Sequence, residues 1–237
     1  MTLTLSIVSH GQGALIGALF ADFRRLAVGG VEVIITINVP EDEGFLVGAD
    51  PAALTVIRND APKGFGANHN QAFARSSGEM FCVVNPDIRL PDASFISLRE
   101  AFNEPQVGSC APLVIGPEGE MQDSARRFPT LARLARRVLL RRRRADYARD
   151  ALAEVDWTAG MFVMFRREAF AQVGGFDERY FMYLEDADIC RRLQRAGWRT
   201  LFRPSSVVVH DARRASHRSL RHLRWHLRST ARFLTGF

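Results

Sequence analysis

The chain of 237 residues is 47% hydrophobic and 24% charged, which is the composition of a globular protein with a substantial core. No apolar run approaches the roughly 18 residues that a membrane-spanning helix needs, and the first residues lack the basic region and cleavage site of a secretory signal. The formal net charge of +6 rests almost wholly on arginine and concentrates in the last third of the chain, which favours an anionic partner there.

The first half of the chain alternates predicted strands with predicted helices. Apolar and β-branched runs predict strands at Leu3–Val8, Val31–Ile37, Leu54–Arg58 and Met80–Val84. Apolar residues at helical spacing predict helices at Ala14–Leu26, Asn68–Ser76 and Phe95–Asn103. This rhythm predicts an α/β fold with a mostly parallel sheet flanked by helices, whose ligands bind outside the carboxyl ends of the strands. The polar residues at those ends are Ser9, His10, Asn38, Asn85 and Asp87.

The second half has shorter and less regular elements. Strands are predicted at Val107–Val114, Met161–Phe165, Thr200–Phe202 and Val207–Val209, and a short helix at Arg166–Val173. Two further segments are predicted in this half: an arginine-rich helix or loop over Thr130–Arg144 and an amphipathic helix over His217–Phe233. Without internal repeats or long linkers, residues 1–237 are expected to form one domain with halves 1–115 and 116–237.

Two acidic motifs carry the chemistry. The strand Met80–Val84 runs into Asn85-Pro86-Asp87, where a carboxylate can hold a divalent cation that bridges two phosphates. These are also common turn residues, so the motif alone is compatible with a simple turn.

The second motif places three acids at the start of a predicted helix, namely Glu185, Asp186 and Asp188. Acids there complement the helix dipole and cap free amides, but three within four residues exceed what a cap requires. A carboxylate that faces a hydroxyl can accept its proton as the oxygen attacks an anomeric carbon. We favour Asp186 for this role. If Asp87 shares its pocket, the pair fits sugar transfer from a nucleotide-sugar.

Two glycine turns and a histidine are weaker signals. Gly64–Ala72 opens a helix whose amides can meet phosphate or ribose oxygens, although an ordinary loop explains it equally well. Gly11–Gly17 imitates a dinucleotide-binding fingerprint, but no acid ends the second strand, so a nicotinamide-dependent oxidoreductase is a minor alternative. His210, at a strand end, could complete a metal shell or simply be hydrogen-bonded.

The C-terminal helix and the arginine clusters suggest a surface role. A leucine stripe that includes Leu223 and Leu227 runs beside an arginine stripe, and Arg133–Arg144 adds a second cluster. The leucines can pack on the body beneath a charged outer face, or the helix can attach to anionic lipid headgroups. Near-surface arginines contribute about 1 kcal/mol each at such a membrane. No nucleic-acid recognition motif is visible, so no nucleic acid is expected.

The three cysteines, Cys82, Cys110 and Cys190, form no CxxC pair. They are predicted to be buried free thiols in a reducing compartment. The expected location is therefore cytoplasmic, with peripheral contact at the inner face of the plasma membrane.

The order and spacing of these motifs resemble a family 2 inverting glycosyltransferase of the GT-A fold, which is Rossmann-like, and most of all its bacterial rhamnosyltransferase branch. The matching segments are 9–10, 68–72, 85–88, 124–130, 157–160, 174–178, 181–188, 197–198 and 209–210. They span nearly the whole chain. The resemblance implies that residues 1–115 bind the nucleotide and that residues 116–237 bind the acceptor and carry the catalytic acids.

The resemblance also implies roles for single residues. Asp87 resembles the last acid of the DxD motif that binds Mg²⁺ or Mn²⁺ and the diphosphate, and His210 resembles a late metal or phosphate ligand. Asp186 resembles the general base, with Glu185 beside it. The residues implied to contact the nucleotide-sugar are Ser9, His10, Asn38, Asn59, Asn68, Asn85, Asp87, Arg126 and Gly160.

One departure from the family pattern concerns the nucleoside. Many relatives end the second strand with Asp-Asn-x-Ser, whose aspartate contacts the base, whereas this chain has Ile37-Asn38-Val39-Pro40. The choice between UDP and dTDP is therefore open.

The expected function is the metal-dependent, inverting transfer of a sugar to a cell-envelope or lipid-linked glycan. The first candidate for the sugar is L-rhamnose, with dTDP-rhamnose as its donor. The alternatives are another hexose from a UDP- or GDP-sugar, and a catalytically silent glycan- or membrane-binding module of the same fold.

Overall fold

The computed structural model describes residues 1–47, 53–133, 146–148, 150–211 and 220–236. Within these ranges a nine-stranded sheet forms the centre of the molecule, and a small two-stranded sheet lies apart from it. The predicted α/β class is confirmed. Much of the arginine-rich segment predicted over Thr130–Arg144 lies outside the described residues.

Four parallel strands form the first half of the central sheet, in the spatial order β3-β2-β1-β4. Their bounds agree with the predicted strands to within one residue, and they are β1 (Leu3–Ser9), β2 (Val31–Ile37), β3 (Leu54–Arg58) and β4 (Met80–Val84). Helices α1 (Gly13–Arg25) and α2 (Phe65–Phe73) belong to the crossover connections. Helix α2 begins three residues before the predicted start, because the Gly64 carbonyl already accepts the N–H of Asn68 at 3.2 Å.

The second half of the sheet mixes strand directions. Its strands are β5 (Ile88–Arg89), β6 (Val107–Ile115), β8 (Ala153–Glu154), β10 (Phe162–Arg166) and β11 (Arg199–His210). Strand β10 lies between β4 and β6 and is antiparallel to both. The separate sheet pairs β7 (Ala125–Arg126) with β9 (Trp157–Thr158).

Two local predictions in this half are corrected. The two short strands predicted around Pro204 are one strand, β11, whose register against β6 shifts between Arg203 and Val207. A proline has no N–H to give to a sheet, so an irregularity absorbs it and the strand continues. The helix predicted at Phe95–Asn103 is a 3₁₀ helix, Ser94–Asn103. Its buried residues Phe95, Leu98 and Ala101 recur every third position, which is the period of a 3₁₀ helix.

Hydrophobic clusters cover both faces of the sheet. In β4, Cys82 and Val84 join one cluster, while Phe81 and Val83 join the other. Side chains of a strand point alternately to the two faces, so this strand is buried on both sides. The three cysteines are buried and free, as predicted. The described ranges also contain the helices α3 (Arg167–Gln172), α4 (Glu185–Arg195) and α5 (Leu220–Thr235) and a short 3₁₀ helix at Gly44–Leu46.

Helix α5 packs on the body through a face that the leucine stripe does not indicate. Ser229 and Phe233 are only 5% and 3% exposed, and the rings of Trp225 and Phe181 lie 4.8 Å apart. Leu223 and Leu227 are instead 55% and 61% exposed. Packing of these two leucines on the body, one of the two interpretations of the stripe, is therefore wrong. No helix in the described ranges is apolar enough over sufficient length to cross a bilayer.

Candidate active site

Three asparagine amides meet at the carboxyl ends of the parallel strands. Asn59 Nδ2 donates to Asn38 Oδ1 at 2.9 Å and to Asn68 Oδ1 at 2.7 Å. Asn38 Nδ2 lies 3.1 Å from Nδ1 of the exposed His10. Ser9 is fully buried, and its Oγ accepts the N–H of Gln12 at 3.1 Å. The structure thus brings together five of the nine residues that were predicted to contact the nucleotide-sugar.

The glycine turn before α1 is already occupied by a carboxylate of the chain. Glu41 accepts the N–H of Gly13 at 2.8 Å and that of Gly11 at 3.3 Å. A dinucleotide would place its pyrophosphate on these same amide donors at the helix start. Their occupation by Glu41 argues against the nicotinamide alternative.

Asp87 and His210 lie side by side although 123 positions separate them in the sequence. Strand β5 pairs with the end of β11, with His210 opposite Ile88, which directly follows Asp87. His210 Nε2 lies 3.3 Å from Asp87 Oδ2. Both side chains are partly open, at 12% exposure for His210 and 16% for Asp87.

Gln122 fixes the orientation of the His210 ring. Its Nε2 donates to the His210 carbonyl at 3.0 Å, so its Oε1, 2.7 Å from Nδ1, accepts from the ring. In the neutral imidazole, the proton is then on Nδ1 and the lone pair of Nε2 points at Asp87. His210 Nε2 and Asp87 Oδ2 are then both acceptors, and two acceptors that face each other favour the binding of a cation between them.

The donor set fits a divalent metal ion. Asp87 Oδ1 is buried without a hydrogen-bond partner among the described residues, so the carboxylate has unused capacity. Carboxylate oxygen suits Mg²⁺ and Mn²⁺, and imidazole nitrogen is a common ligand of transition metals. No third His, Cys, Asp or Glu joins the pair within the described ranges. Sites of this kind complete the shell with substrate phosphates and water.

Asp186 is held by two backbone amides at the start of α4. Gly160 N–H donates to its Oδ2 at 3.0 Å, and Ala187 N–H donates to its Oδ1 at 2.8 Å. The preceding residues Tyr183 and Leu184 adopt left-handed φ angles of 74° and 65°. Left-handed backbone angles are unfavourable for residues other than glycine. This turn leads directly into α4, where Asp186 contacts Gly160 in the connection between β9 and β10.

Glu185 and Asp186 are neighbouring carboxyls in different surroundings. Burial and the charge of Asp186 raise the pKa of Glu185 well above its ordinary value, and its Oε2 has no hydrogen-bond partner in the described part of the chain. Burial also raises the pKa of Asp186, but the amides of Gly160 and Ala187 and the charge of Arg126 oppose that rise. Of the two carboxyls, Glu185 is therefore the one that holds a proton more tightly.

Backbone contacts connect Asp186 to the Asp87 turn. Gly160 holds Asp186, and the next residue, Met161, accepts the N–H of Asn85 at 2.8 Å through its carbonyl. Asp87 follows Asn85 by two positions. The end of β4 and the start of α4 are thus joined through residues 160–161. This connection brings both predicted acidic motifs to one region of the molecule.

Gly160 is a position of close approach. A Cβ there would lie 3.2 Å from the Phe65 ring and 3.6 Å from the Asp186 Cβ. Arg126 lies nearby in β7, paired with Asp123 at 3.2 Å and with its guanidinium carbon 5.1 Å from the Trp157 ring centroid. The third acid of the cluster, Asp188, has a structural role, because it forms ion pairs with Arg191 and Arg192 on the same helix.

Sequence reasoning missed Gln122 and Glu41. Gln122 lies in a stretch for which no element was predicted, and its partner is 88 residues away. Glu41 follows the second strand, where an acid was sought for a ribose, but it binds the α1 start instead. Neither contact leaves a local signal in the sequence.

The comparisons with known proteins identify the family. A model of family 2-like glycosyltransferases matches residues 3–227, so the chain belongs to this family. N-acetylglucosaminyl-diphospho-decaprenol L-rhamnosyltransferase of Mycobacterium tuberculosis is 37% identical over 164 residues, which are 64% of this chain and 53% of that protein. Rhamnosyltransferase WbbL of Escherichia coli is 31% identical over 185 residues, covering 72% of this chain and 70% of that one. The chain thus spans about half the length of the mycobacterial relative.

Solved structures confirm the fold. The mannosyltransferase of Pyrobaculum calidifontis in complex with GDP-Man and Mn²⁺ has a TM-score of 0.66 at 17% identity, covering 97% of this chain and 64% of that one. GalNAc-T7 with UDP, GalNAc and Mn²⁺ has a TM-score of 0.64 at 17% identity, covering 90% and 43% of the two chains. The predicted family and the predicted GT-A fold are both confirmed.

Proposed function

We propose that this protein is an inverting, metal-dependent glycosyltransferase. Its donor is a nucleotide-sugar, with dTDP-L-rhamnose as the first candidate, and its acceptor is a lipid-linked or other cell-envelope glycan. The observation that carries the proposal is the connection of Asp186 to the Asp87–His210 pair through Gly160, Met161 and Asn85. The two relatives that are named as rhamnosyltransferases support the choice of sugar.

The donor side would lie in residues 1–115, at the ends of β1 to β4. The amide cluster of Asn38, Asn59 and Asn68 would face the nucleoside, with His10 at its exposed rim. Asp87 and His210 would hold Mg²⁺ or Mn²⁺, which neutralises charge on the leaving diphosphate when bound. Arg126 would face the transferred sugar, and Gly160 would contribute its N–H to Asp186.

The catalytic step would take place at Asp186, in the half formed by residues 116–237. A carboxylate oxygen offers two lone pairs, so Asp186 can accept the acceptor hydroxyl proton while it keeps its two amide bonds. The hydroxyl oxygen forms a bond to the anomeric carbon as the bond to the diphosphate breaks on the opposite side. One in-line displacement inverts the anomeric configuration. Burial raises the pKa of Asp186, which makes it a stronger base.

A membrane surface is the proposed location of the acceptor. Leu223 and Leu227 project from α5 as an exposed apolar ridge. The exposed arginines beside them, Arg221, Arg224 and Arg228, form no ion pair within the described residues. An apolar ridge with arginines on its flanks suits an anionic lipid surface. The protein would then be cytoplasmic and peripheral on the inner face of the plasma membrane.

A donor screen tests the proposal. The protein is incubated with Mn²⁺ and one of dTDP-rhamnose, UDP-GlcNAc, UDP-Glc or GDP-Man, and thermal unfolding is recorded. The donor should raise the unfolding temperature because it binds only the folded state. The stabilising donor is then combined with a GlcNAc-diphospho-lipid, and the anomeric configuration of the product is determined. Transfer with retained configuration, or undiminished transfer after thorough chelation, contradicts the proposal.

Two alternatives are outcomes of the same screen. Stabilisation by a UDP- or GDP-sugar alone would assign another hexose. A protein that binds no donor and transfers no sugar would be a silent glycan- or membrane-binding module. The complete set of acids at positions 87, 185 and 186 favours the enzyme over the silent module.

A further inference from the structure

A cavity of about 180 Å³ lies between the segment that leads into α4 and the C-terminal helix α5. It is separate from the Asp87–His210 pair, and none of the donor-side residues lines it. Its lining residues are Glu178, Arg179, Phe181, Trp225, Arg228, Ser229 and Arg232. Arginines and an indole N–H are donors that suit a phosphate group.

The cavity carries uncompensated positive charge. Of the three lining arginines, Arg179 is paired with Asp177, and the one lining carboxylate, Glu178, accepts from the neutral amide of Asn70 at 3.0 Å and offsets part of the positive charge. Arg228 and Arg232 form no ion pair within the part of the chain that is described. Nε and Nη1 of Arg232 are also buried without a hydrogen-bond partner there. The guanidinium carbon of Arg232 lies 5.8 Å from the centroid of the Tyr180 ring, but its two buried N–H groups lack an acceptor, which an anion could supply.

The walls of the cavity are firmly anchored. The Phe181 carbonyl accepts the N–H of Phe65 at 3.0 Å, while the Phe181 ring stacks on Trp225. Ser229 Oγ donates to the Met182 carbonyl at 2.8 Å. These contacts tie α5 to the same segment that delivers Asp186. A ligand in the cavity would therefore be held at a fixed position relative to the proposed base.

The spacing suits a ligand with a sugar at one end. Phe181 lies on the cavity wall five residues before Asp186, so at most about 17 Å of chain separates their Cα atoms. The left-handed turn at Tyr183 and Leu184 shortens this separation further. A diphosphate in the cavity can then present an attached monosaccharide towards Asp186. The exposed ridge of Leu223 and Leu227 lies on the same helix, where the lipid part would enter the membrane.

We propose that this cavity binds the diphosphate of the lipid-linked acceptor, through Arg228 and Arg232. The assignment rests on the proposed function, because it requires a diphosphate-bearing acceptor. It adds a second anion site to the molecule, distinct from the one that would hold the donor diphosphate. The apolar cavity beneath α1, lined by residues such as Phe20, Phe23 and Leu54, offers no comparable chemistry.

The first experiment measures binding of inorganic pyrophosphate by tryptophan fluorescence in the presence of EDTA. Trp225 lines the cavity, and a Trp225→Phe variant identifies its share of the signal. Arg228→Gln should weaken the pyrophosphate affinity at least about fivefold. Arg224→Gln makes the same charge change one turn away but does not line the cavity, so its affinity should stay within about twofold of the parent. Equal affinities for the two variants, or no saturable response of Trp225, overturn the proposal.

The second experiment identifies the source of the diphosphate. Transfer is measured in detergent to a GlcNAc-diphospho-lipid and to a GlcNAc-lipid without phosphate. Arg228→Gln should raise the KM for the diphospho-acceptor about tenfold and leave the KM values of the donor and of the plain acceptor unchanged. Pyrophosphate binding without this selective effect would make the cavity a free-phosphate site and overturn the acceptor assignment. Failure of all transfer would refute the proposed function, whereas the fluorescence titration would still report on the cavity.

Discussion

Among single residues, the adjacent carboxyls Glu185 and Asp186 are proposed to have different roles because their surroundings differ. Burial raises the pKa of Asp186, but its two backbone N–H bonds and the charge of Arg126 oppose that rise. Glu185 is 5% exposed and its Oε2 has no donor among the described residues, which favours its protonated form. A base must be ionised to accept a proton, and Asp186 is the one of the two whose surroundings oppose the rise in its pKa.

We predict that Asp186→Asn lowers the transfer rate by about 10²–10⁴-fold, the usual contribution of a general base. Its affinity for the nucleotide, measured by calorimetry with Mn²⁺, should stay close to that of the parent. Glu185→Gln keeps the shape and the neutral state of the buried side chain, and it should retain transfer within about tenfold. The assignment would be reversed by a Glu185→Gln variant that is inactive beside an active Asp186→Asn variant.

Gln122 gives a prediction about the metal. Removal of the Gln122 side chain would free the His210 ring to rotate and to exchange its tautomer. Loss of such a contact to a metal ligand typically weakens metal affinity 10–100-fold. Gln122→Ala should therefore weaken Mn²⁺ binding by about tenfold or more, measured by electron paramagnetic resonance without substrate. Gln172→Ala serves as a control, because Gln172 is an exposed glutamine on α3. Unchanged Mn²⁺ affinity in Gln122→Ala would count against His210 as a ligand.

His69 provides a prediction about stability and pH. Burial lowers its pKa to about 3, and its Nδ1 lies 2.8 Å from the Ser6 hydroxyl. Between that value and the ordinary pKa of about 6.5, the unfolded chain binds a proton that the folded chain does not. The free energy of unfolding should therefore fall as pH decreases through this window, by up to about 1.4 kcal/mol per pH unit from this group.

The measurement compares urea unfolding of the parent with that of His69→Asn at several pH values between 4 and 7. The variant cannot gain this proton, so its stability should depend less steeply on pH, even if it is less stable overall. Parallel pH profiles for the two proteins would show that His69 is not the group responsible.

At the scale of elements, helix α5 shows why a hydrophobic stripe does not by itself identify a buried face. Trp225, Ser229 and Phe233 share the face that packs on the body, while Leu223 and Leu227 remain outside. The apolar stripe and the packed face differ because aromatic stacking on Phe181 and the Ser229 hydrogen bond fix the rotation of the helix. The exposed leucines are then available to a lipid surface.

We predict that Leu223→Ser/Leu227→Ser loses most of its binding to vesicles that contain phosphatidylglycerol, measured by co-sedimentation. Each buried leucine contributes about 1.5–3 kcal/mol when it leaves water, so the pair should account for at least a tenfold loss. Leu152→Ser is the matched control, because Leu152 is 54% exposed and lies outside α5. Equal vesicle binding of the double variant and the control would remove the membrane role from this ridge.

Local patterns predicted the elements that depend on local information. The strands β1 to β4 were recognised from their apolar and β-branched runs, because strands buried on both faces are apolar throughout. The two-residue strand β5 was not recognised, because only its distant partner β11 defines it. The long 3₁₀ helix was mistaken for an α-helix because the two share similar apolar spacing over a few turns.

For the molecule as a whole, the sequence indicated Asp87 and Asp186 as candidate site residues but not the contacts that hold them. Asp87 and Asp186 were recognisable from type and position, since a strand end and a helix start are places where carboxylates meet ligands. The contacts that support them could not be predicted, because they join residues far apart in the chain. Gly160 reaches Asp186 across 26 positions, and Gln122 reaches His210 across 88.

In the proposed mechanism, a cation at Asp87 and the base at Asp186 act in one pocket. Paramagnetic broadening by Mn²⁺ tests it directly, with amide signals recorded in the presence of Mn²⁺ and dTDP and compared with a Mg²⁺ reference. If the cation binds beside Asp186, the amide signals of Gly160 and Ala187, whose N–H groups hold Asp186, should broaden strongly. The Gly30 amide lies at the opposite end of β2, roughly 20 Å along that strand from its carboxyl end, and should broaden much less. Sharp signals from Gly160 and Ala187 at saturating Mn²⁺ would show that the cation and Asp186 do not share one pocket.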